Sequence, residues 1–163
     1  MIRARDSVLF VLLFSLAALA AVFTAQYGFN LRPCELCLAQ RVPYYVLVVL
    51  TMGSLGLRLE GKALRIVLLL CALAFAIDAG IALYHTGVEQ HWWAGPQACT
   101  AGAGTVTSVE DLAAMLSKPA DIPQCDKPAW LLAGVSMAGY NLLACLIMTV
   151  FCALSARRVR GAR

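Results

Sequence analysis

The chain has 163 residues, of which 61% are hydrophobic and 13% are charged, and its formal net charge is +4. This composition excludes an ordinary soluble domain, because a domain of this size would have too little polar surface to face water. In a membrane protein the positions of the positive charges indicate orientation, so the net charge gives no support for nucleic-acid binding.

Four apolar segments are long enough to cross a bilayer as helices, which takes about 20 residues each. They lie at about residues 8–26, 38–57, 66–84 and 129–154. The first follows Arg3 and Arg5 as a secretory signal would, but it is longer than the apolar region of a signal and lacks a polar end, so a retained anchor is predicted. The predicted fold is an all-α membrane protein, a single four-helix transmembrane bundle.

Basic residues divide unequally between the two sides of such a bundle. One side holds most of them: Arg3, Arg5, Arg58, Lys62, Arg65, Arg157, Arg158, Arg160 and Arg163. The other side holds the rest: Arg32, Arg41, Lys118 and Lys127. By the positive-inside rule both termini are predicted to be cytoplasmic, and the loops at about residues 27–37 and 85–128 are predicted to be exported.

The seven cysteines fall into two groups. The first group lies in or beside the exported loops, where disulfides persist: Cys34, Cys37, Cys99 and Cys125. The second group lies within the spans, where a thiol is expected to act as a small apolar side chain: Cys71, Cys145 and Cys152. The exported group therefore carries any redox chemistry.

Cys34 and Cys37 are three residues apart in PCELC, a spacing typical of a redox dithiol, at the entrance of the second span. Pro33 suits the first turn of a helix, and a helix N-terminus stabilises the thiolate that exchanges disulfides. Two structural disulfides remain an alternative. No metal is predicted, because zinc would need a second CxxC, whereas 25 residues separate Cys99 from Cys125.

Charged residues near the ends of the second and third spans are candidates for contact with an electron acceptor. Arg41 follows Cys37 by four residues and shares its helix face, although an arginine there can also reach lipid headgroups. His85 and Glu89 share a face if the third helix continues, with interfacial solvation as the alternative. Asp78 lies within the third span, either as a proton carrier or as a hydrogen-bond partner of a neighbouring helix.

The second exported loop contains a helix start signal between its two cysteines, with Thr107 as cap and Glu110 to return the bond. Apolar residues then recur at helical spacing: Val109, Leu112, Ala113 and Leu116. They predict a short amphipathic helix lying on the membrane surface. The two cysteines would then lie on mobile segments, as suits a disulfide that must meet a partner protein.

With these motifs the chain resembles the DsbB family of bacterial disulfide bond formation proteins over nearly its whole length. PCELCLAQR is similar to the family's PCxLCxxxR at the start of the second span, and the loop after the third span holds a second cysteine pair. The resemblance implies a four-helix thiol oxidase of the bacterial inner membrane with periplasmic catalytic loops. It also implies a site for ubiquinone or menaquinone near Cys34, Cys37 and Arg41, with His85 and Glu89 as further contacts.

The resemblance further implies a relay of disulfides. A reduced periplasmic thioredoxin-like protein, DsbA, would attack a Cys99–Cys125 disulfide at Cys99, and Cys125 would exchange with Cys34. Formation of a Cys34–Cys37 disulfide would then deliver two electrons to the quinone. Two alternatives are a vitamin K epoxide reductase-like enzyme, whose CxxC lies late in the bundle, and a non-enzymatic scaffold with two fixed disulfides.

Overall fold

The structure, a computed structural model, describes residues 4–96, 108, 125–128 and 130–160. In chain order the helices are α1 Ala4–Phe23, continued by a π-helical turn at Thr24–Gly28, α2 Glu35–Ala39, α3 Arg41–Gly56, α4 Gly61–Glu89 and α5 Met137–Arg160. A two-stranded antiparallel hairpin, β1 Leu131–Leu132 and β2 Val135–Ser136, precedes α5. The predicted amphipathic helix and Cys99 lie outside the described residues.

Four helical stretches within the described residues are long and apolar enough to cross a membrane: Ala4–Gly28, Glu35–Gly56, Gly61–Glu89 and Met137–Val159. Many of their large apolar side chains are exposed on the outside of the bundle, where lipid would cover them. The chain is therefore a multi-pass membrane protein, and the predicted all-α four-helix fold is confirmed.

The fourth helix begins at Met137, later than the predicted start near residue 129. The apolar residues before it form the β1–β2 hairpin instead of a helical turn. Ala133 and Gly134 connect the strands with φ values of 48° and 79°, the positive values that tight hairpin turns require. Hydropathy alone does not distinguish such a hairpin from the first turns of a helix, so the predicted boundary was wrong.

The core lies around α4, which packs most extensively against α5. Phe75 of α4 is fully buried, and its ring centroid lies 6.1 Å from that of Tyr44 and 6.0 Å from that of Phe14, both in edge-on contacts. These aromatic contacts join α1, α3 and α4 near the middle of the bundle. Burial of such large side chains fixes the relative positions of the helices that carry the site.

A proline separates α2 from α3. Pro43 has no N–H to donate to the Ala39 carbonyl, so the helical ladder is interrupted at this point. Gln40 occupies the junction, and its side chain is buried within the bundle. The interruption thus places a polar side chain inside the protein directly after the PCELC segment.

The end of α4 is closed by residues that follow it. His91 has a left-handed φ of 59°, its N–H donates to the Val88 carbonyl at 3.1 Å, and the Trp92 N–H donates to the Gly87 carbonyl at 2.8 Å. This pattern of two reversed bonds is a Schellman motif, which satisfies the last carbonyls of a helix. The helix therefore continues to Glu89, beyond the end predicted near residue 84.

Candidate active site

The PCELC segment begins a helix, as predicted. Cys34 is the N-cap of α2, and its sulfur accepts a hydrogen bond from the Cys37 N–H at 3.3 Å. Pro33 stands before the cap, not in the first turn, because Cys34 itself is in the extended conformation of a capping residue. The sulfur thus takes the place of the oxygen with which serine or aspartate caps a helix.

Both thiols of this pair are free in the structure, and the Cys34 S–H donates to the Cys37 sulfur at 2.8 Å. This hydrogen bond is the main cause that raises the pKa of Cys34, and burial of the side chain, which is 7% exposed, raises it further. Negative charge is therefore better accommodated on the Cys37 sulfur, which receives the bond. The structure describes the reduced pair, and the predicted Cys34–Cys37 disulfide stays a prediction.

His85 lies next to this pair because α4 continues through it. Its Nε2 atom is 3.5 Å from the Cys34 sulfur and 3.8 Å from a carboxylate oxygen of Glu89. His85 is 3% exposed, and the second carboxylate oxygen of Glu89 is buried and has no hydrogen-bond partner among the described residues. The structure thus brings together the two residues that the sequence predicted on one helix face.

The same cluster has the donors that a soft metal ion requires. The sulfur atoms of Cys34 and Cys37 and a ring nitrogen of His85 all lie within 4.8 Å of one another. Two thiols and an imidazole form a typical ligand set for zinc. The sequence predicted no metal, and this grouping became visible only when α4 was placed against α2.

Arg41 points into the protein. It is 8% exposed, its Nη1 donates to the Gln26 side-chain oxygen at 2.7 Å, and its guanidinium carbon lies 5.3 Å from the Phe23 ring centroid. Both contacts come from the end of the first span. Arg41 is therefore held inside the bundle by the first span, and its partner Gln26 is a residue that sequence reasoning missed, while a role of Arg41 at the acceptor stays a prediction.

An apolar cavity of about 460 Å³ lies between the end of the first span and the start of α5. Its lining residues are Ala21, Ala25, Phe29, Leu31, Trp130 and Met137. Ala25 precedes Gln26, the partner of Arg41, in the chain. The volume is within the range of about 300–1,000 Å³ usual for small-molecule sites, and aromatic walls suit a flat ring. A larger cavity of about 690 Å³ lies beside Asp6 at the other end of α1, without a cysteine in its lining.

Cys125 brings the second cysteine pair to the first. It is disulfide-bonded and 1% exposed. It belongs to the same buried hydrophobic cluster as Cys34, and Cys37 packs against that cluster. The predicted partner, Cys99, is outside the described residues, so the Cys99–Cys125 pairing stays a prediction.

Polar side chains that the sequence did not single out connect α3, α4 and α5. Asp78 accepts hydrogen bonds from Asn141 at 3.1 Å and from the Cys145 thiol at 3.2 Å, which confirms that this carboxyl group is a partner of a neighbouring helix. Cys71 and Cys152 are apolar core residues, as predicted. Cys145 differs from these two core cysteines, because its thiol donates a hydrogen bond to the Asp78 carboxylate.

Comparisons with known proteins find relatives that align with most of this chain. "Disulfide bond formation protein B" of Verminephrobacter eiseniae is 32% identical over 153 residues, which is 90% of this chain and 83% of the relative. The protein of that name from Aromatoleum aromaticum is 28% identical over 146 residues, 83% of this chain and 82% of the relative. An uncharacterized protein of Rickettsia prowazekii, RP370, is 31% identical over 143 residues, 86% of this chain and 80% of the relative.

No solved structure matches this chain significantly. The family described as "Disulfide bond formation protein DsbB" matches residues 4–155, which is nearly the whole length. This match confirms the resemblance drawn from PCELCLAQR and the second cysteine pair. The chain belongs to the DsbB family of disulfide bond formation proteins.

Proposed function

We propose that this protein is a quinone-dependent protein-dithiol oxidase that reoxidises a periplasmic thioredoxin-like disulfide donor of the DsbA type. In the overall reaction two thiols of the donor become a disulfide, and one quinone takes up two electrons and two protons to become a quinol. The observation that carries the proposal is the burial of Cys125, a disulfide-bonded cysteine of the exported loop, in the cluster of Cys34.

The loop cysteines would receive electrons from the protein substrate. A donor thiolate would attack the disulfide of Cys99 and Cys125 at Cys99, which breaks that bond and leaves Cys125 as a thiolate. Cys125 would then attack Cys34 in an oxidised Cys34–Cys37 pair. The Cys125–Cys34 bond forms, the Cys34–Cys37 bond breaks, and Cys37 leaves as a thiolate at the start of α2, where the helix dipole favours it.

The side chains around this pair fit a quinone. Ubiquinone or menaquinone would supply an acceptor for two electrons. Arg41 is held by Gln26 with its guanidinium inside the protein, where a cation stabilises developing negative charge on an oxygen. His85 and Glu89 would be the polar contacts of the quinone on the α4 side of the cysteine pair.

Orientation in the bacterial inner membrane completes the proposal. We expect cytoplasmic termini and periplasmic cysteine loops, because disulfides persist on the periplasmic side. His85, at the end of α4, lies beside Cys34, before α2, so both cysteine groups meet at one end of the bundle. The basic residues between α3 and α4 lie at the other end.

The proposal is tested by quinone reduction with purified protein and a reduced DsbA-type donor. Cys37→Ala should lower the rate more than about 100-fold, because it removes the nucleophile that faces the acceptor. Cys71→Ala is the matched control, since Cys71 is an equally small, buried thiol of the core. It should retain wild-type turnover.

Unchanged turnover of Cys37→Ala would overturn the mechanism. If the wild-type protein reduces no quinone while its loop disulfide resists the donor, the protein is a scaffold with a fixed disulfide. If the Cys71 control loses as much turnover as Cys37→Ala, the loss reflects packing and the catalytic role of Cys37 is not supported.

A further inference from the structure

A row of buried hydrogen bonds leads from the cysteine pair into the bundle. The Gln40 side-chain nitrogen lies 3.0 Å from His85 Nδ1, and the Gln40 oxygen accepts from Asn141 Nδ2 at 3.1 Å. Asn141 Nδ2 also donates to Asp78 Oδ2 at 3.1 Å. His85, Gln40 and Asp78 are all buried, and Asn141 is partly buried. The row therefore joins α4, the α2–α3 junction and α5 in a region shielded from water.

The direction of these bonds is fixed at the Asp78 end. Asp78 Oδ2 accepts from Asn141 and also from the Cys145 thiol at 3.2 Å, so this oxygen acts only as an acceptor. On the other side of the amide, the Tyr44 hydroxyl donates to Asn141 Oδ1 at 2.6 Å. An amide has one end that donates and one that accepts. These contacts therefore determine which end of Asn141 carries the nitrogen.

The orientation of the Asn141 amide determines the orientation of the Gln40 amide and, through it, the position of the proton on His85. Because Asn141 offers its nitrogen, Gln40 turns its oxygen towards Asn141 and its nitrogen towards His85. A neutral imidazole facing an amide N–H must present an unprotonated nitrogen, so Nδ1 accepts and the ring proton is on Nε2. That nitrogen lies 3.5 Å from the Cys34 sulfur.

We propose that Asp78, Asn141 and Gln40 are positioning residues that set the tautomer of His85 and so supply an N–H donor to the Cys34 sulfur. In the proposed relay the donor's second thiol attacks the donor–Cys99 bond, which forms the donor disulfide and frees the Cys99 thiolate. Attack of Cys99 on Cys125 then re-forms the Cys99–Cys125 bond, breaks the Cys125–Cys34 bond and leaves Cys34 as a thiolate, and a donor at its sulfur stabilises that charge. The effect on rate rests on the proposed function, whereas the tautomer itself can be measured without any turnover.

The tautomer can be measured by ¹⁵N NMR of the histidine-labelled protein, since the resonance of a ring nitrogen depends on whether it carries a proton. The chain has two histidines, and exposed His91 is an internal reference. In the wild-type protein we expect His85 with a proton on Nε2 and none on Nδ1. Gln40→Glu presents a carboxylate oxygen to His85 while still accepting from Asn141, so Nδ1 should gain a proton.

Two substitutions test whether Asp78 affects the tautomer of His85 through Asn141 and Gln40. Asp78→Asn keeps a carbonyl acceptor for Asn141 and should keep the wild-type tautomer. Asp78→Leu removes that acceptor, so Asn141 and Gln40 can reverse and His85 should populate both tautomers. Thr51→Val is the matched control, because Thr51 is a buried hydroxyl of α3 that bonds the Leu47 carbonyl, outside the row.

Turnover with donor and quinone should fall about tenfold, the size expected for one hydrogen bond, in any of these variants in which Nε2 loses its proton, and it should be unchanged in Asp78→Asn. A wild-type His85 with its proton on Nδ1 would overturn the assignment, and so would an unchanged tautomer in Gln40→Glu. The Gln40→Glu variant decides the question even if Asp78→Leu does not fold. Loss of the Nε2 proton with unchanged turnover would refute the role at Cys34. Absence of wild-type quinone reduction would instead refute the proposed function and leave the tautomer result standing.

Discussion

The two cysteines of PCELC have different surroundings although they are three residues apart. Cys34, as the N-cap, has a backbone N–H and His85 at its sulfur. Cys37, at the third helical position, receives the Cys34 S–H. This asymmetry follows from the geometry of a helix start, in which a capping side chain faces the N–H of the residue three positions later. It favours charge on Cys37, the cysteine that would leave first as a thiolate in the proposed relay.

This asymmetry predicts an unusual pH dependence for Cys34 in the reduced protein. Only the thiolate is alkylated, and the raised pKa of Cys34 keeps the thiol form present to a higher pH than in an ordinary cysteine. The midpoint of alkylation by iodoacetamide, followed by mass spectrometry of the Cys34 peptide, should therefore lie above that of a free cysteine peptide. Cys37→Ala removes the main cause and should move the midpoint down.

The midpoint is the informative quantity here, because restricted access of the reagent to the Cys34 sulfur slows alkylation at every pH, whereas the midpoint depends on the pKa of the thiol. A midpoint at or below that of the free peptide would contradict the hydrogen bond from Cys34 to Cys37. A midpoint unaffected by Cys37→Ala would assign the shift to burial alone.

Sequence reasoning identified the residues whose chemistry is local to a motif, and it missed those whose role depends on another helix. Arg41 and His85 were predicted from their spacing to a cysteine or to a span end. Gln40 and Asn141, in contrast, are 101 positions apart and are joined only by the packing of α5 beside the α2–α3 junction. The sequence places each of them as a polar residue in an apolar segment, but it does not indicate that the two are hydrogen-bond partners.

At the level of helices, the end of α4 controls where His85 and Glu89 lie. Trp93 folds back on the helix, where its indole N–H donates to the Tyr84 carbonyl at 2.9 Å and its ring stacks on that of Tyr84 at 5.9 Å. Aromatic residues at the end of a span are typical of the interfacial belt of membrane proteins. Both roles are compatible, but only the structure reveals that the belt also closes the helix and lets it continue to Glu89.

This closure requires Gly87, because a Cβ atom there would overlap the Trp93 ring. Gly87→Ala should displace Trp93 and destabilise the protein by about 1–3 kcal/mol, the usual cost of overpacking. Gly80→Ala is the matched control in the same helix, since its Cβ would meet nothing within 4 Å. It should be neutral or stabilising by up to about 1 kcal/mol, because alanine favours helix.

The measurement is unfolding of the two variants in detergent, compared with the wild-type protein. Opposite shifts of the unfolding midpoint are expected, downwards for Gly87→Ala and unchanged or upwards for Gly80→Ala. If both variants shift in the same direction by the same amount, then helix propensity and not the Trp93 contact determines the result.

Across the whole molecule, the four spans were predictable because lipid requires long apolar helices with satisfied backbone groups. The ends of those spans were less predictable. The β1–β2 hairpin and the extension of α4 to Glu89 both depend on turns at positive φ, the first formed by Ala133 and Gly134 and the second by His91. Gly134 is a turn-forming residue type, but a single glycine within an apolar segment does not exclude a helix, so hydropathy predicts one continuous span there.

The whole-molecule prediction is the orientation of the bundle. His85 and Cys34 meet at one end, whereas Lys62, Arg65 and Arg157 lie at the other, and the positive-inside rule then assigns the cysteine end to the periplasm. The full chain with green fluorescent protein at its C-terminus should therefore fluoresce, and the same chain with alkaline phosphatase there should be inactive, because each reporter matures on one side only.

The reciprocal control inserts each reporter after Ser108, in the loop that holds the second cysteine pair. There the phosphatase should be active and the fluorescent protein dark. An active phosphatase at the C-terminus would place both cysteine pairs in the cytosol, where glutathione and thioredoxin keep thiols reduced. Since the proposed relay needs an oxidised loop disulfide at the start of every cycle, that outcome would contradict the orientation and the proposed function together.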